Sequence, residues 1–238
     1  MTSLLKKALE HGRNGTLSTV VMRRLRWMLR GRSARYLDRA RGVVHVGANT
    51  GQGCEMYALC GLPVVWIEPI PEVFAELQRN IAPYPDQRAV NALVGDEDGK
   101  AFRFNVASNG GGSSSIFEFQ QHTDIWPDVR FERVIELESV TLGSLFQREG
   151  LDPSLYDLMV LDTQGSELLV LRGAKTLLAG FRQILAEAAD FDAYTGGCKL
   201  DELRQFLDAH GFREAAKWRF AKHPDGGGYF NVLFERAA

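Results

Sequence analysis

The sequence predicts an α/β protein built on a mostly parallel sheet and closed by an antiparallel C-terminal hairpin. Short apolar runs alternate with stretches of helical spacing from residue 43 onward. Glycines at 47, 51 and 53 turn the first of these runs directly into a helix-like stretch. The last two runs, 212–220 and 228–235, are joined by Pro224, Asp225, Gly226 and Gly227, the punctuation of a hairpin. No internal repeat is visible.

The 238-residue chain changes character near residue 42. Residues 1–42 hold eleven Lys and Arg against Glu10 and Asp38, a net +9, while the remainder carries −11 and the whole chain only −2. Leu17, Val20, Val21, Leu25, Met28 and Leu29 are spaced for one helix face, with Arg23, Arg24, Arg26 and Arg30 largely around it. The expectation is a basic helical N-terminal extension over 1–42, broken at Gly31, Arg32 and Ser33, ahead of a single domain over 43–238. Such an arm either docks on its own domain or on a sister subunit, forming a homo-oligomer, or offers a cationic surface to membrane, nucleic acid or an acidic glycan.

Val43, Val44, His45 and Val46 make the first strand, and residues 52–60 should be helical up to the stop at Gly61, Leu62 and Pro63. The second strand, 63–67, ends in Glu68. Pro71 opens a helix in which Ile70, Val73, Phe74, Leu77 and Ile81 recur at helical spacing until Pro83 and Pro85. Residues 89–94 read as the third strand. After the turn at 95–99, residues 101–106 alternate like a half-exposed antiparallel strand, with 133–137 as partner. Between these two lies 108–115, Ser-Asn-Gly-Gly-Gly-Ser-Ser-Ser, a flexible linker by composition. Inside a compact domain such a loop is expected to fold over a cofactor or acceptor. Residues 156–161 and 182–187 are the fourth and fifth core strands, with Asp162 and Glu187 at their ends, and Leu200, Leu203, Phe206 and Leu207 mark a helix stopped by Gly211.

In an open α/β sheet, ligands gather at the carboxyl ends of the strands. There the sequence places Asn49, Glu68, Asp96, Asp162, Thr163, Gln164 and Glu187. Glycines at the first turn allow close approach to free backbone N–H groups. Glu68, 21 residues after Gly47, is where a ribose would present its hydroxyls. A dinucleotide fingerprint would need glycine at 49 and 52, where Asn49 and Gln52 stand, which counts against a nicotinamide oxidoreductase. The looser acid-x-Gly-x-Gly-x-Gly pattern of class I S-adenosylmethionine methyltransferases reads His45-x-Gly47-x-Asn49-x-Gly51 here, departing at two positions.

VGANTG at 46–51, WIEPIPEVFAELQRN at 66–80, NALVGDEDG at 91–99, SNGGGSSSI at 108–116 and LDTQGSELLVLRGA at 161–174 resemble the FkbM-type methyltransferases. The resemblance spans about 43–235 and implies a Rossmann-like class I methyltransferase sheet with S-adenosyl-L-methionine as methyl donor. It also implies O-methylation of a small acceptor, a sugar or natural-product hydroxyl. The cofactor-binding candidates are Gly47, Asn49, Gly51, Glu68 and Pro69, with Leu93 and Asp96 for adenine, Ser114 from the glycine–serine loop, and Asp162. An alkyl hydroxyl must shed a proton, so a general base is sought. Asp162 is the first candidate, unless it contacts the methionine moiety or orients Gln164; His122 and Glu187 follow. His45 replaces the family's acid and is read as a structural imidazole. Asp162, Glu187 and Asp190 could converge on a cation, but nothing at helical spacing enforces it, and no metal is expected.

Composition excludes several classes. Hydrophobic residues at 45% and charged residues at 24% are ordinary for a globular domain, and no apolar run approaches the roughly 18 residues of a membrane span. Residues 4–9 lack the pattern of a secretory signal. Cys54, Cys60 and Cys198 have no zinc-like spacing and read as reduced thiols in a cytoplasm. The expected activity is O-methyl transfer, without a nucleic-acid partner. N-methylation and a non-catalytic nucleoside-binding module are the alternatives.

Overall fold

A computed structural model describes residues 32–237; the helical spacing expected over 17–29 lies outside them. A 3-10 segment, Arg32–Arg39, leads into β1 (Val43–Val46), α1 (Cys54–Cys60), β2 (Val64–Glu68), α2 (Pro71–Ile81) and β3 (Gln87–Asn91). The chain continues through β4 (Leu93–Val94), β5 (Ala101–Ala107), α3 (His122–Ile125), β6 (Phe131–Val140) and α4 (Leu142–Arg148). It ends with β7 (Leu158–Leu161), α5 (Glu167–Gly173), β8 (Gln183–Ala189), α6 (Leu200–Ala209), β9 (Phe212–Lys222) and β10 (Gly228–Arg236).

Seven strands form the main sheet in the order β3-β2-β1-β7-β8-β10-β9. The first five run parallel, and β10 pairs antiparallel with both β8 and β9. The expected mostly parallel sheet with a C-terminal hairpin is what forms. Because β2 and β7 flank β1 on opposite sides, strand order reverses there, and the crevice at that reversal is where an open α/β sheet receives ligands.

Alternation along each strand assigns the two faces. Val44 and Val46 point, with Met159, Leu161 and Ile184, into a core covered by α4, α5 and α6. Val43, Val64, Trp66, Leu158 and Val160 face the other core, closed by α1, α2 and Leu37 of the 3-10 segment. His45 shares that second face, stacked on Trp66 at 4.8 Å with its Nδ1 3.3 Å from Tyr57 Oη. Burial lowers its pKa to about 4, so it is a neutral, structural imidazole. The last residues of the extension are held by the domain: Arg41 donates from its backbone N and Nε to the buried carboxylate of Asp157, at 2.7 and 3.1 Å.

The third strand expected over 89–94 is interrupted. β3 ends at Asn91, and Leu93–Val94 cross to a second sheet of order β4-β6-β5. Val90 and Val94 are buried in one core and Leu93 in another, so apolar residues lie on both sides of the crossing although Asn91 between them is exposed. The expected antiparallel pairing of 101–106 with 133–137 is present, with Arg103 opposite Glu136 and Phe104 opposite Ile135. This small sheet packs Leu93, Phe104 and Val106 on Ile70 and Val73 at the start of α2, placing an apolar wall beside the carboxyl end of β2.

Candidate functional site

The turn after β1 is built on left-handed backbone. Gly47, Asn49, Gly51 and Gly53 have φ of 80°, 45°, 79° and 96°. At Gly47 the requirement is steric as well, since a Cβ there would stand 1.8 Å from the carbonyl oxygen of Asp162. The ends of β1 and β7 thus close to backbone contact.

Glu68 is buried, 4% exposed, yet lines the cavity at this edge. Its Oε2 accepts the backbone N–H of Asn49 at 2.8 Å and its Oε1 that of Ile70 at 3.0 Å. A carboxylate has about four acceptor positions, so each oxygen keeps one for a ligand. Burial raises its pKa to about 7, against the lowering effect of those two amides.

The cavity has a volume of about 330 Å³, within the usual range for small-molecule sites. Ile70, Leu93, Val94 and Phe104 supply an apolar wall, and Asp162, Gln164 and Glu187 a polar one; Trp126 and Phe220 also line it. A second cavity of about 220 Å³, on the face of His45 and Tyr57, is also lined by Asp162 and Glu187. The two acids therefore border both spaces.

Asp162 and Glu187 meet through Gln164. Its Nε2 donates to Asp162 Oδ1 at 2.7 Å and to Glu187 Oε1 at 3.1 Å. Its Oε1 accepts from Tyr194 Oη at 2.6 Å, which fixes the orientation of the amide. Gln164 itself is held at φ +53°, a left-handed conformation rare outside glycine and asparagine. Burial pushes the pKa of both acids up, and their mutual repulsion adds to the rise at Glu187. Glu167 is a different kind of acid: it turns back to accept from Thr163 N at 3.0 Å and Gly165 N at 3.1 Å, bracing the turn between β7 and its own helix.

The glycine–serine loop is pinned at every serine from 113 to 115. Ser113 Oγ lies 2.9 Å from His122 Nε2, Ser114 Oγ accepts from Ala107 N at 2.9 Å, and Ser115 Oγ donates to Gln164 O at 2.7 Å. Asn49 Nδ2 donates to Gly110 O at 3.0 Å, tying the loop to the glycine turn. A Cβ at Gly111 would stand 3.0 Å from Ile70 Cδ1, so the loop rests on the start of α2. The linker-like composition thus conceals an ordered wall of the cavity.

His122 is buried, 1% exposed, between Ser113 and Tyr229, whose Oη lies 2.6 Å from Nδ1. Burial lowers its pKa to about 4. Both ring nitrogens are occupied, and the imidazole is neutral at physiological pH. Among the candidates from sequence, Gly47, Asn49, Glu68, Pro69, Leu93, Ser114, His122, Asp162 and Glu187 line the main cavity. Gly51 packs instead toward Leu77 of α2. Asp96 does not line the cavity; its Oδ1 is buried without a hydrogen-bond partner, with Lys100 Nζ at 3.9 Å. Sequence reasoning missed Trp126, Phe220, Tyr194 and Tyr229, which carry no periodic signal. Among the described residues, no group of three His, Cys, Asp or Glu converges as metal ligands would.

A model of the methyltransferase FkbM domain matches residues 45–214, from the first strand to the last hairpin. The chain belongs to the FkbM methyltransferase family. Its methyl donor is S-adenosylmethionine, and it is a methyltransferase. Comparison with curated proteins gave no match. The chain is similar to the solved structure of magnesium protoporphyrin IX methyltransferase from Synechocystis PCC 6803 with bound S-adenosylhomocysteine. That match has 12% identity, covers 82% of this chain and 73% of that one, and has a TM-score of 0.46. Precorrin-6y C5,15-methyltransferase from Geobacter metallireducens matches at 12% identity, covering 82% and 79%, with a TM-score of 0.45. Ribosomal protein L11 methylase from Lactobacillus delbrueckii subsp. bulgaricus matches at 15%, covering 83% and 70%, with a TM-score of 0.43.

The cavity of this FkbM methyltransferase fits the donor by its chemistry. Glu68 retains acceptor capacity, the wall of Leu93, Val94 and Phe104 is apolar enough for a purine, and the Gly47 turn brings backbone close. Among the described residues no helix is long and apolar enough to cross a membrane.

Proposed function

We propose that this FkbM methyltransferase methylates a hydroxyl of a small acceptor, a sugar or natural-product moiety, with Asp162 as general base. In this reading Glu68 holds the ribose, Gly47, Asn49, Gly51 and Pro69 shape the turn around it, and Leu93 flanks the adenine. Asp96 lies beyond the cavity lining, with its buried Oδ1 beside Lys100 Nζ, so it is left out of the adenine contacts. Ser114 holds the loop in place through Ala107. The bound donor supplies an electrophilic methyl group on a sulfonium.

The observation carrying this reading is a pair of acids at the cavity wall, joined through Gln164, both with raised pKa and, among the described residues, no cationic partner. A hydroxyl becomes a competent nucleophile only as its proton leaves, and a carboxylate within hydrogen-bond reach can take it. A neutral amine attacks without a base, so a carboxylate placed to take a proton is of more use to a hydroxyl acceptor. Asp162 is preferred over Glu187, whose environment favours the protonated form more strongly. His122 has both nitrogens engaged, which supports a role in holding Ser113 and the loop.

The test is incubation of the protein with isotopically labelled S-adenosylmethionine and fractionated cell metabolites, with mass spectrometry of labelled products. A label in an ether methyl supports the reading, a label on nitrogen replaces it with N-methylation, and donor binding with no product in any fraction favours a non-catalytic binding module.

A further inference from the structure

Nothing in the proposal above explains why Gln164 is held in a strained left-handed conformation with every polar atom of its side chain used. Its two amide hydrogens go to two different acids, 2.7 Å to Asp162 and 3.1 Å to Glu187. Its amide oxygen accepts from Tyr194, and its backbone oxygen from Ser115. Strain of this kind persists only where surrounding contacts over-determine it, and such residues cluster at functional sites. An amide is also the neutral group best suited to this place: it presents two donors on one nitrogen, while a Lys would neutralise the acids and a Glu would add a third charge.

We propose that Gln164 is a positioning residue that joins Asp162 and Glu187 into one proton-sharing pair, Glu187 carrying the proton and Asp162 left ionised to receive another. The proposal rests on Asp162 being the base. Two nearby carboxylates in a partly dry site do not both ionise readily, because each charge raises the other's cost. Among the described residues, the titratable groups around them add negative charge or none. Glu167 adds negative charge beside both, and Glu68 stands on the donor side of Asp162. Tyr194 and Tyr229 are phenols whose ionisation the acids oppose, and His122 is neutral. In the second cavity His45 is neutral and Tyr57 is a buried phenol. No ion pair to a Lys or Arg relieves either acid among the described residues. Accepting the substrate's proton takes the pair from one proton to two, and release of one to water restores the starting state.

The decisive experiment needs no acceptor. Protein carrying 13C-labelled Asp and Glu carboxyl groups is titrated by NMR, with Asp162→Asn and Glu187→Gln used for assignment. The expected result is one proton on the pair at pH 7. In Gln164→Met, of similar length but without donors, the Asp162 midpoint should rise by about one pH unit. A merely structural Gln164 would leave that midpoint unmoved, which overturns the proposal. Both acids ionised at pH 7 in the unaltered protein would overturn it too, and that measurement stands even if Gln164→Met does not fold. Failure of the parent reading looks different: product formed at an unchanged rate by Asp162→Asn, with the titration of Glu187 and Gln164's effect on the pair as described.

Discussion

The carboxylate of Glu68 accepts the backbone N–H of Asn49 at 2.8 Å, joining the end of β2 to the glycine turn after β1. With the second bond to Ile70 N, one side chain fixes both walls of the crevice and still faces the cavity. Replacing it therefore has two effects that separate by variant. Glu68→Ala should weaken binding of S-adenosylhomocysteine by about 1–3 kcal/mol, the scale of a buried charged hydrogen bond lost. Glu68→Gln, which keeps the size and one acceptor, should lose less. Titration calorimetry showing unchanged affinity in both would remove Glu68 from the ribose site.

The same side chain predicts a pH dependence. Its pKa is raised to about 7 in the empty protein, so below that value it is protonated and has lost acceptor capacity. Affinity for S-adenosylhomocysteine should rise as pH increases from 6 to 8 and then level. Calorimetry across that range, with Glu68→Gln as the control that no longer titrates, would contradict this if both proteins gave the same profile.

Stability should move the other way. Glu68, Asp162 and Glu187 all have folded-state pKa values above their unfolded values of about 4.3 for Glu and about 3.9 for Asp, so the folded protein retains protons that the unfolded chain has released. The stability tied to these groups is complete below the unfolded value and is lost as pH rises through the folded ones. The Tm of the empty protein should fall between pH 6 and 9, and Glu187→Gln should flatten that fall. A Tm rising over this interval would contradict the assignment.

At Gly47 the constraint is backbone geometry. Gly47→Ala places a methyl 1.8 Å from Asp162 O and forces an L-residue to φ +80°. The ends of β1 and β7 must separate, at a cost above about 2 kcal/mol. Urea denaturation should show that loss together with weakened donor binding. Gly53→Ala, where the φ is also positive but nothing lies within 4 Å, should cost less.

If Asp162 is the base, Asp162→Asn should lower turnover by about a hundredfold or more while donor affinity changes little, since general-base catalysis contributes on that order. Labelled methyl transfer to an acceptor found in the metabolite screen would measure it. Equal turnover would pass the role to Glu187.

Much of this was legible in the sequence because it depends on local pattern. Val43–Val46 followed by glycine, and Val64–Ile67 ending in Glu68, locate strand ends and hence one edge of the sheet. The pairing of β5 with β6 was legible from alternation alone. Hydrophobicity, however, reports burial without naming the sheet, so the crossing at Ala92 was hidden. The three serines of 113–115 read as flexible because composition does not show their bonds, to Ala107 and His122 seven and nine residues away and to Gln164 forty-nine residues on. Gln164 was visible as a polar residue at a strand end. Its function in joining Asp162 to Glu187 depends on contacts 23 and 30 residues away, to Glu187 and Tyr194, which spacing does not encode.

The placement of the nucleoside underlies all of these expectations. A crystal structure of the protein soaked with S-adenosylhomocysteine tests it most directly. The account predicts ribose hydroxyls on Glu68 and the purine against Leu93 and Val94. A ligand seated elsewhere, with Glu68 bonded only to Asn49 and Ile70, would contradict it.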